Sequence, residues 1–303
     1  MSKTIFYLGG GAMAGVFSGG VITRLQEINF YDKIEAIYAG SSGAMNAAYF
    51  LSKQTKLGST IYLDDLTHNF ILPKNIPLGI AKLIWNKYIK KLPKDDTRYA
   101  VNIDYVFDCI NKKPFSTDEI VKQPIDFFAK LLNIQTGKIE YLDAKKFGIL
   151  KVLKATSCIQ PYYPFFEEIN GNKYVDGTIP EPIGLQYLLD LYPNHKIVVI
   201  VNSFMKRKFS NYLRCFAEGV VSHFCDYSLL KMYLRRETSL RNDLQLATET
   251  PRVLFICPPE NMSVIAMTRN RKNLVEAFDT GKKMADKIIK FVEFKTEFVS
   301  KIS

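Results

Sequence analysis

Two adjacent serines are the most chemically suggestive residues in the chain. Ser41 and Ser42 stand in Ala39-Gly40-Ser41-Ser42-Gly43-Ala44, between the apolar run Ile34–Ala39 and an alanine-rich segment ending at Leu51. A serine on a sharp strand-to-helix turn presents its hydroxyl as a nucleophile, and such a turn needs small residues two positions to either side. Both serines meet that requirement: Ala39 and Gly43 flank Ser41, and Gly40 and Ala44 flank Ser42. Local sterics leave the choice open. Gly-Ser-Ser-Gly is also a common flexible turn, but its place between a strand-like and a helix-like segment argues for a positioned one.

A serine hydroxyl attacks an acyl carbonyl only if a base takes its proton. The chain has three histidines: His68, His195 and His223. None lies in a glycine-marked loop, and each reads as a surface or packing residue. A carboxylate is the other candidate. Lys173-Tyr-Val-Asp176-Gly-Thr178 places Asp176 at the end of a short strand, downstream of the apolar segment Pro161–Phe166. Apolar surroundings disfavour the charged carboxylate and bring its pKa nearer to neutral pH. By spacing alone, Asp176-Gly177 reads equally well as an ordinary turn.

The third requirement is stabilisation of an oxyanion. Gly9-Gly-Gly-Ala-Met-Ala-Gly15 follows the first β-prone run, Thr4–Leu8, and opens a helix. Unpaired N–H groups at a helix N-terminus attract negative charge. Three readings follow. Gly9-x-Gly11-x-x-Ala14 loosely fits a dinucleotide-binding turn, but the second strand ends without the carboxylate that would hold a ribose. The phosphate-loop pattern fails because no Gly-Lys-Ser/Thr follows. A plain tight turn is the second reading. An oxyanion hole built from N–H groups around Gly10, Gly11 and Ala12 is the third.

These residues need elements to hold them. Thr4–Leu8 and Ile34–Ala39 read as strands, and 16–29 and 44–51 as the helices after them. Lys196–Val201 and Arg252–Cys257 are apolar and rich in β-branched residues, as strands buried on both faces are. Such alternation implies an α/β layered domain with a mostly parallel sheet. The stretch 61–113 is basic and reads as a loop-rich cap or insertion. Residues 204–303 read as mostly helical with one late strand, and the whole of 1–303 as a single domain.

Composition sets limits on function. Hydrophobic residues are 47% and charged residues 23% of 303, which excludes a mainly disordered, collagen-like or coiled-coil chain. No apolar run approaches the length of a membrane-spanning helix, and the first residues do not follow the pattern of a cleavable signal peptide. Five cysteines without Cys-x-x-Cys spacing argue against a disulfide framework and against a zinc site. Reduced thiols and a cytoplasmic or peripheral membrane location are expected. Lysine plus arginine outnumber acidic residues by 41 to 30, giving +11. That excess favours anionic partners, and the dispersed basic residues and missing motifs argue against nucleic acid.

Three separated blocks resemble the patatin-like phospholipases, serine acyl hydrolases that use a Ser–Asp dyad. The first is Gly10-Gly-Ala-Met-Ala-Gly15-Val-Phe with Gly20-Val-Ile. The second is Ile34-Glu-Ala-Ile-Tyr-Ala-Gly-Ser41-Ser-Gly-Ala-Met-Asn-Ala47. The third runs from Ala155-Thr-Ser-Cys-Ile-Gln-Pro161 to Tyr174-Val-Asp176-Gly-Thr178. The match in order and spacing covers about residues 4–203. Asn102–Val106 and Gln135–Glu140 resemble a bacterial branch of the family.

The resemblance implies a three-layer α/β/α fold with a mostly parallel central sheet and a basic helical cap. It also implies Ser41 as nucleophile, Asp176 as base, and Gly10, Gly11 and Ala12 as the oxyanion hole. The implied activity is that of a phospholipase A or lysophospholipase acting through an acyl-enzyme, with no cofactor and no metal. Acyl transfer on the same site and a lipid-binding or regulatory pseudoenzyme are the alternatives. Three positions depart from the family pattern: Ala39 for a glycine, Ala14 for a common arginine or lysine, and Thr178 for a smaller residue.

A lipid substrate must be met at an interface. Gly79–Leu92 reads as a basic amphipathic helix, with Ile80, Leu83, Ile84 and Tyr88 on one face. Lys82, Asn86, Lys87, Lys90 and Lys91 supply the polar side, and the chain's single tryptophan, Trp85, lies within it. That combination suits an anionic membrane surface, although a cap helix packed on the core with its lysines in water has the same pattern.

Overall fold

A computed structural model describes residues 3–89, 99–203, 209–225 and 227–293. In chain order, β1 (Thr4–Leu8) leads through the glycine turn to α1 (Val16–Glu27), β2 (Ile34–Ala39) and α2 (Ser42–Leu51). Then α3 (Thr55–Thr60) and α4 (Leu66–Asn69) flank a π-helical turn, followed by α5 (Ile76–Tyr88), α6 (Ile103–Lys112) and α7 (Thr117–Lys122). Next come β3 (Asp126–Asn133), β4 (Lys138–Asp143), α8 (Ala144–Phe147) and α9 (Ile149–Ala155). The chain continues with β5 (Glu167–Ile169), β6 (Asn172–Asp176), α10 (Leu185–Leu191) and β7 (Lys196–Ile200). It closes with α11 (Phe209–Ser222), α12 (Leu230–Glu249), β8 (Val253–Ile256) and α13 (Arg271–Glu293).

The strands form one sheet in the order β5-β6-β3-β2-β1-β7-β8, with β4 paired to β3. The run β3-β2-β1-β7-β8 is parallel, and β4, β5 and β6 add antiparallel pairs at one side. Side chains alternate across it with the two-residue strand period. Phe6, Leu8, Ile37, Ala39, Val198 and Ile200 face a core shared with α1, α2, α9 and α13. Ile5, Tyr7, Ala36, Tyr38, Ile197 and Val199 face a second core, closed by α10 and by Leu240 and Leu246 of α12. The sheet thus lies between two helical layers.

α1 carries two adjacent glycines, which weaken an isolated helix. Their place is explained by packing against α13. A Cβ on Gly20 would lie 2.0 Å from the Phe278 carbonyl oxygen, and one on Gly281 would lie 2.1 Å from that of Phe17. The helices cross backbone to backbone, anchoring the layer that carries the glycine turn.

The stretch 61–113, expected to be loop-rich, is helical over much of its described length. Lys82 corrects the sequence expectation. It is buried, with its ammonium 4.7 Å from the centroid of the Tyr99 ring. A lysine can extend its apolar stem through packed surroundings and rest its charge on an aromatic face. Lys90, Lys91 and Leu92, read as part of the same helix, lie outside the described residues, as do the last ten residues of the mostly helical stretch 204–303. Among the described residues, no helix is long and apolar enough to cross a membrane.

Candidate active site

The site is built where two strands meet head to head. β3 pairs with β2 through Ala36–Ala39 opposite Asp126–Ala129, and with β6 through Tyr174–Asp176 opposite Asn133–Leu131. β4 pairs with Phe128–Asn133 on the other edge of β3, overlapping both stretches. β2 and β6 therefore share one edge and run towards each other. β2 ends opposite Ala129 and β6 opposite Leu131, a gap of about 7 Å along the strand. Ser41 leaves the end of β2 and Asp176 closes β6, so residues 135 apart in sequence converge at Lys130.

Ser41 has φ 52° and ψ −130°, a conformation an L-residue rarely adopts. It is the strained geometry of a nucleophile-bearing turn between strand and helix. Its N–H donates to Thr156 Oγ1 (3.0 Å), whose hydroxyl donates to the Lys130 carbonyl (2.8 Å). Ala39 has negative φ and is fully buried, so alanine serves at this elbow. Ser42 is the first residue of α2. Among the described residues its Oγ makes no regular hydrogen bond, and it is wedged so closely that a Cβ on Gly15 would lie 2.7 Å from it.

Asp176 is fully buried. Its Oδ1 accepts from the backbone N–H and the hydroxyl of Thr178, both at 2.8 Å. Burial is the dominant influence and pushes the carboxyl up to about 6. The two Thr178 donors, the Arg236 guanidinium and the Ser41 hydroxyl oppose it, in that order. Oδ2 accepts no hydrogen bond of regular geometry among the described residues, yet the Ser41 hydroxyl is near enough to stabilise the charge. Thr178 also packs on the serine turn, since a Cβ on Gly40 would lie 2.3 Å from its Cγ2.

The glycine loop lies against Ser41. A Cβ on Gly10 would come within 2.9 Å of Ser41 Cβ and 3.5 Å of its Oγ. Asn202, just after β7, clasps the loop. Its Nδ2 donates to the Gly9 carbonyl at 2.7 Å and the Gly10 carbonyl at 3.3 Å, and its Oδ1 accepts from Ser18 N–H at 3.0 Å. Asn46 Nδ2 holds the Gly15 carbonyl at 2.8 Å. With those carbonyls engaged, the N–H groups of Gly10, Gly11 and Ala12 donate to no protein acceptor among the described residues. Uncommitted donors in a loop whose Gly10 lies against the serine can receive an oxyanion. Ala14 is buried within this loop.

Asn202, Thr156, Arg236 and Lys130 were not singled out by the sequence reading. Asn202 had a usable signal, since polar residues at the carboxyl ends of parallel strands line α/β sites. Arg236 had none: it is one of several basic residues on α12, and only packing brings its guanidinium to the carbonyls of Thr178 and Ile179. Lys130 is wholly buried, with Nζ 2.6 Å from Glu181 Oε2 and 2.9 Å from the Ile183 carbonyl. It ties the chain after Asp176 to β3. The histidines make other contacts: His195 Nε2 lies 3.0 Å from Glu35, His68 is near Thr67, and His223 gives its carbonyl to Lys87. Among the described residues, no three His, Cys, Asp or Glu side chains are grouped to hold a metal ion.

The patatin-like phospholipase model matches residues 6–189, and the chain belongs to that family. Lipid hydrolysis is the activity of its class. No curated protein matches the chain. Among solved structures, VipD from Legionella pneumophila matches with 13% identity and a TM-score of 0.46, over 96% of this chain and 67% of that one. The type III effector protein ExoU matches with 10% identity and a TM-score of 0.42, over 97% and 54%. The chain thus spans about half the length of ExoU. At these scores the two likenesses add nothing to the assignment, which rests on the family match.

Proposed function

We propose that the protein is a lipid acyl hydrolase of the phospholipase A or lysophospholipase type, with Ser41 as nucleophile and Asp176 as base. The observation that carries the reading is the meeting of β2 and β6 on one edge of β3, with a strained serine beside a buried carboxyl and three uncommitted N–H groups. Asp176 takes the Ser41 proton as Oγ attacks the ester carbonyl. The oxyanion is received by the N–H groups of Gly10, Gly11 and Ala12. Collapse expels the lipid alcohol, which leaves with the proton held by Asp176, and the acyl group stays on Ser41. Water then attacks the acyl ester as Asp176 removes its proton. The second collapse releases the fatty acid and returns the proton to Ser41. The substrate is taken from an anionic membrane surface, to which the protein binds peripherally through α5.

The test is fatty-acid release from mixed phospholipid vesicles. Ser41→Ala and Asp176→Asn are expected to lose about 10³-fold or more, and Ser42→Ala to stay within about threefold. Loss confined to Ser42→Ala would move the nucleophile by one residue. Full activity in Asp176→Asn would remove the dyad, and no release by the native protein would end the enzyme reading.

A further inference from the structure

The second face of α11 has no structural task within the described residues. Its inner stripe includes Cys215 and Ser222, both buried, and Gly219, which lets Leu230 and Tyr233 of the next helix approach. Its outer stripe is also apolar. Leu213 and Phe216 are 56% and 53% exposed, and Val220 continues the same row at helical spacing. A helix packed on a globular core normally turns a polar face to water. α5 breaks the same rule: it buries Gly79 and Leu83 but leaves Trp85 and Tyr88 47% and 66% exposed.

The two helices are neighbours. Gly79, Ile80 and Leu83 of α5 and Ala217 of α11, with Val221, line a shared apolar cavity of about 190 Å³. At one end Lys87 Nζ donates to the His223 carbonyl, and the rings of Tyr88 and Phe224 meet edge to face at 6.3 Å. The cavity's far wall includes Pro161 and Tyr162. That wall follows Cys158, whose carbonyl accepts the Asp176 N–H at 3.1 Å, so the surface is joined by a few residues to the candidate active site.

Charge points to the occupant. α5 contains no acidic residue. α11 contains one, Glu218, which accepts from the Tyr162 hydroxyl at 2.8 Å and lies 3.7 Å from Arg214. Lys74, Lys87 and Arg214 are exposed around the apolar rows. Exposed aromatic and aliphatic side chains ringed by cations are the chemistry of a helix lying on anionic lipid. Fluid acyl chains can also fill the cavity between the helices, which a flat protein surface would leave open.

We propose that α5 and α11 together form a two-helix seat for the surface of an anionic phospholipid bilayer, so that contact extends well beyond α5. The seat deepens the lipid-hydrolase reading and rests on it for its purpose. Trp85, the chain's single tryptophan, reports on it. The full chain is mixed with phosphatidylcholine–phosphatidylglycerol vesicles carrying brominated acyl chains, which quench a tryptophan that reaches them. Hydrolysis of soluble p-nitrophenyl butyrate is followed in parallel.

The expected result is quenching of native Trp85, with at least tenfold more lipid needed for half-quenching on pure phosphatidylcholine. The double variant Leu213→Ser/Phe216→Ser should also need at least tenfold more lipid while keeping its butyrate hydrolysis. Phe216→Glu, a single change at an exposed position, should behave in the same way if the double variant folds poorly. Unchanged half-quenching in these variants, or no quenching of the native protein, overturns the seat. Self-association of the native chain that the variants lose, without quenching, assigns the face to a second copy and also overturns it. Quenching without any butyrate hydrolysis by the native protein would instead count against the hydrolase reading and leave the seat standing.

Discussion

Thr178 gives Asp176 Oδ1 both of its donors, one from the backbone and one from the side chain. The Thr178 hydroxyl favours the ionised carboxyl. With Asp176 as the base, kcat/KM should rise with pH through about 6. Thr178→Val removes one donor, so the carboxyl becomes harder to ionise and the acid limb moves upward. Activity at pH 6 should fall by roughly threefold or more relative to pH 8, and a pH–rate profile on a soluble ester checks this. The same burial sets a stability cost. The folded-state pKa is raised from 3.8 to about 6, so the folded protein prefers a protonated Asp176. Stability from this group is complete below pH 3.8, declines as pH rises towards about 6, and is flat above. Asp176→Asn, neutral at every pH, should therefore gain about 2–3 kcal/mol at neutral pH and nothing below about pH 4. Urea unfolding at the two pH values reads the difference directly.

Between elements, the site depends on ends rather than middles. β2 delivers the serine, β6 the aspartate, β1 the glycine loop and β7 the asparagine that clasps it. Among the described residues, Asn202 is hydrogen-bonded to Gly9, Gly10 and Ser18 and not to Ser41, so it is a positioning residue. Asn202→Ala should let the loop carbonyls turn and misplace the N–H donors. The loss should fall on kcat, by about ten- to a hundredfold, with KM for a soluble ester within about threefold. A loss carried by KM would mean that the loop binds substrate instead of stabilising the transition state.

Across the whole molecule, charge and exposed apolar surface act together. On the proposed membrane reading, a net charge of +11 would draw the protein to anionic lipid from beyond contact distance, and salt shortens that reach from about 10 Å at 0.1 M to about 3 Å at 1 M. Turnover on anionic vesicles should drop steeply as sodium chloride is raised from about 0.05 to 0.5 M, while hydrolysis of an uncharged soluble ester stays within about twofold. Equal salt sensitivity for both substrates would mean that the basic surface acts at the chemical step and not in reaching the membrane. The close crossing of α1 and α13 through Gly20 and Gly281 keeps the helical layer behind the glycine loop firm while the α5–α11 side faces solvent.

Much of this arrangement is legible in the chain alone because it is local. The runs Thr4–Leu8 and Ile34–Ala39 become strands with those same ends, since consecutive apolar and β-branched residues suit a strand buried on both faces. The glycine turns are readable because a side chain at Gly43 would strike the Leu8 carbonyl at 2.3 Å, and few residues other than glycine tolerate such an approach. What the tertiary structure alone decided is non-local. Ser41 and Ser42 have equivalent neighbours in sequence, and only the fold shows that the strained φ, ψ falls on Ser41 while Ser42 begins a helix. Asp176-Gly177 is an ordinary turn by spacing, and it comes to face the serine turn because β6 takes the half of a β3 edge that β2 leaves free. Lys82 sits on a polar stripe by periodicity but is buried under Tyr99. Thr156, Asn202 and Arg236 join the site across 115 to 195 positions of sequence. Periodicity records which face of an element is apolar; it carries no information about which distant element will cover that face.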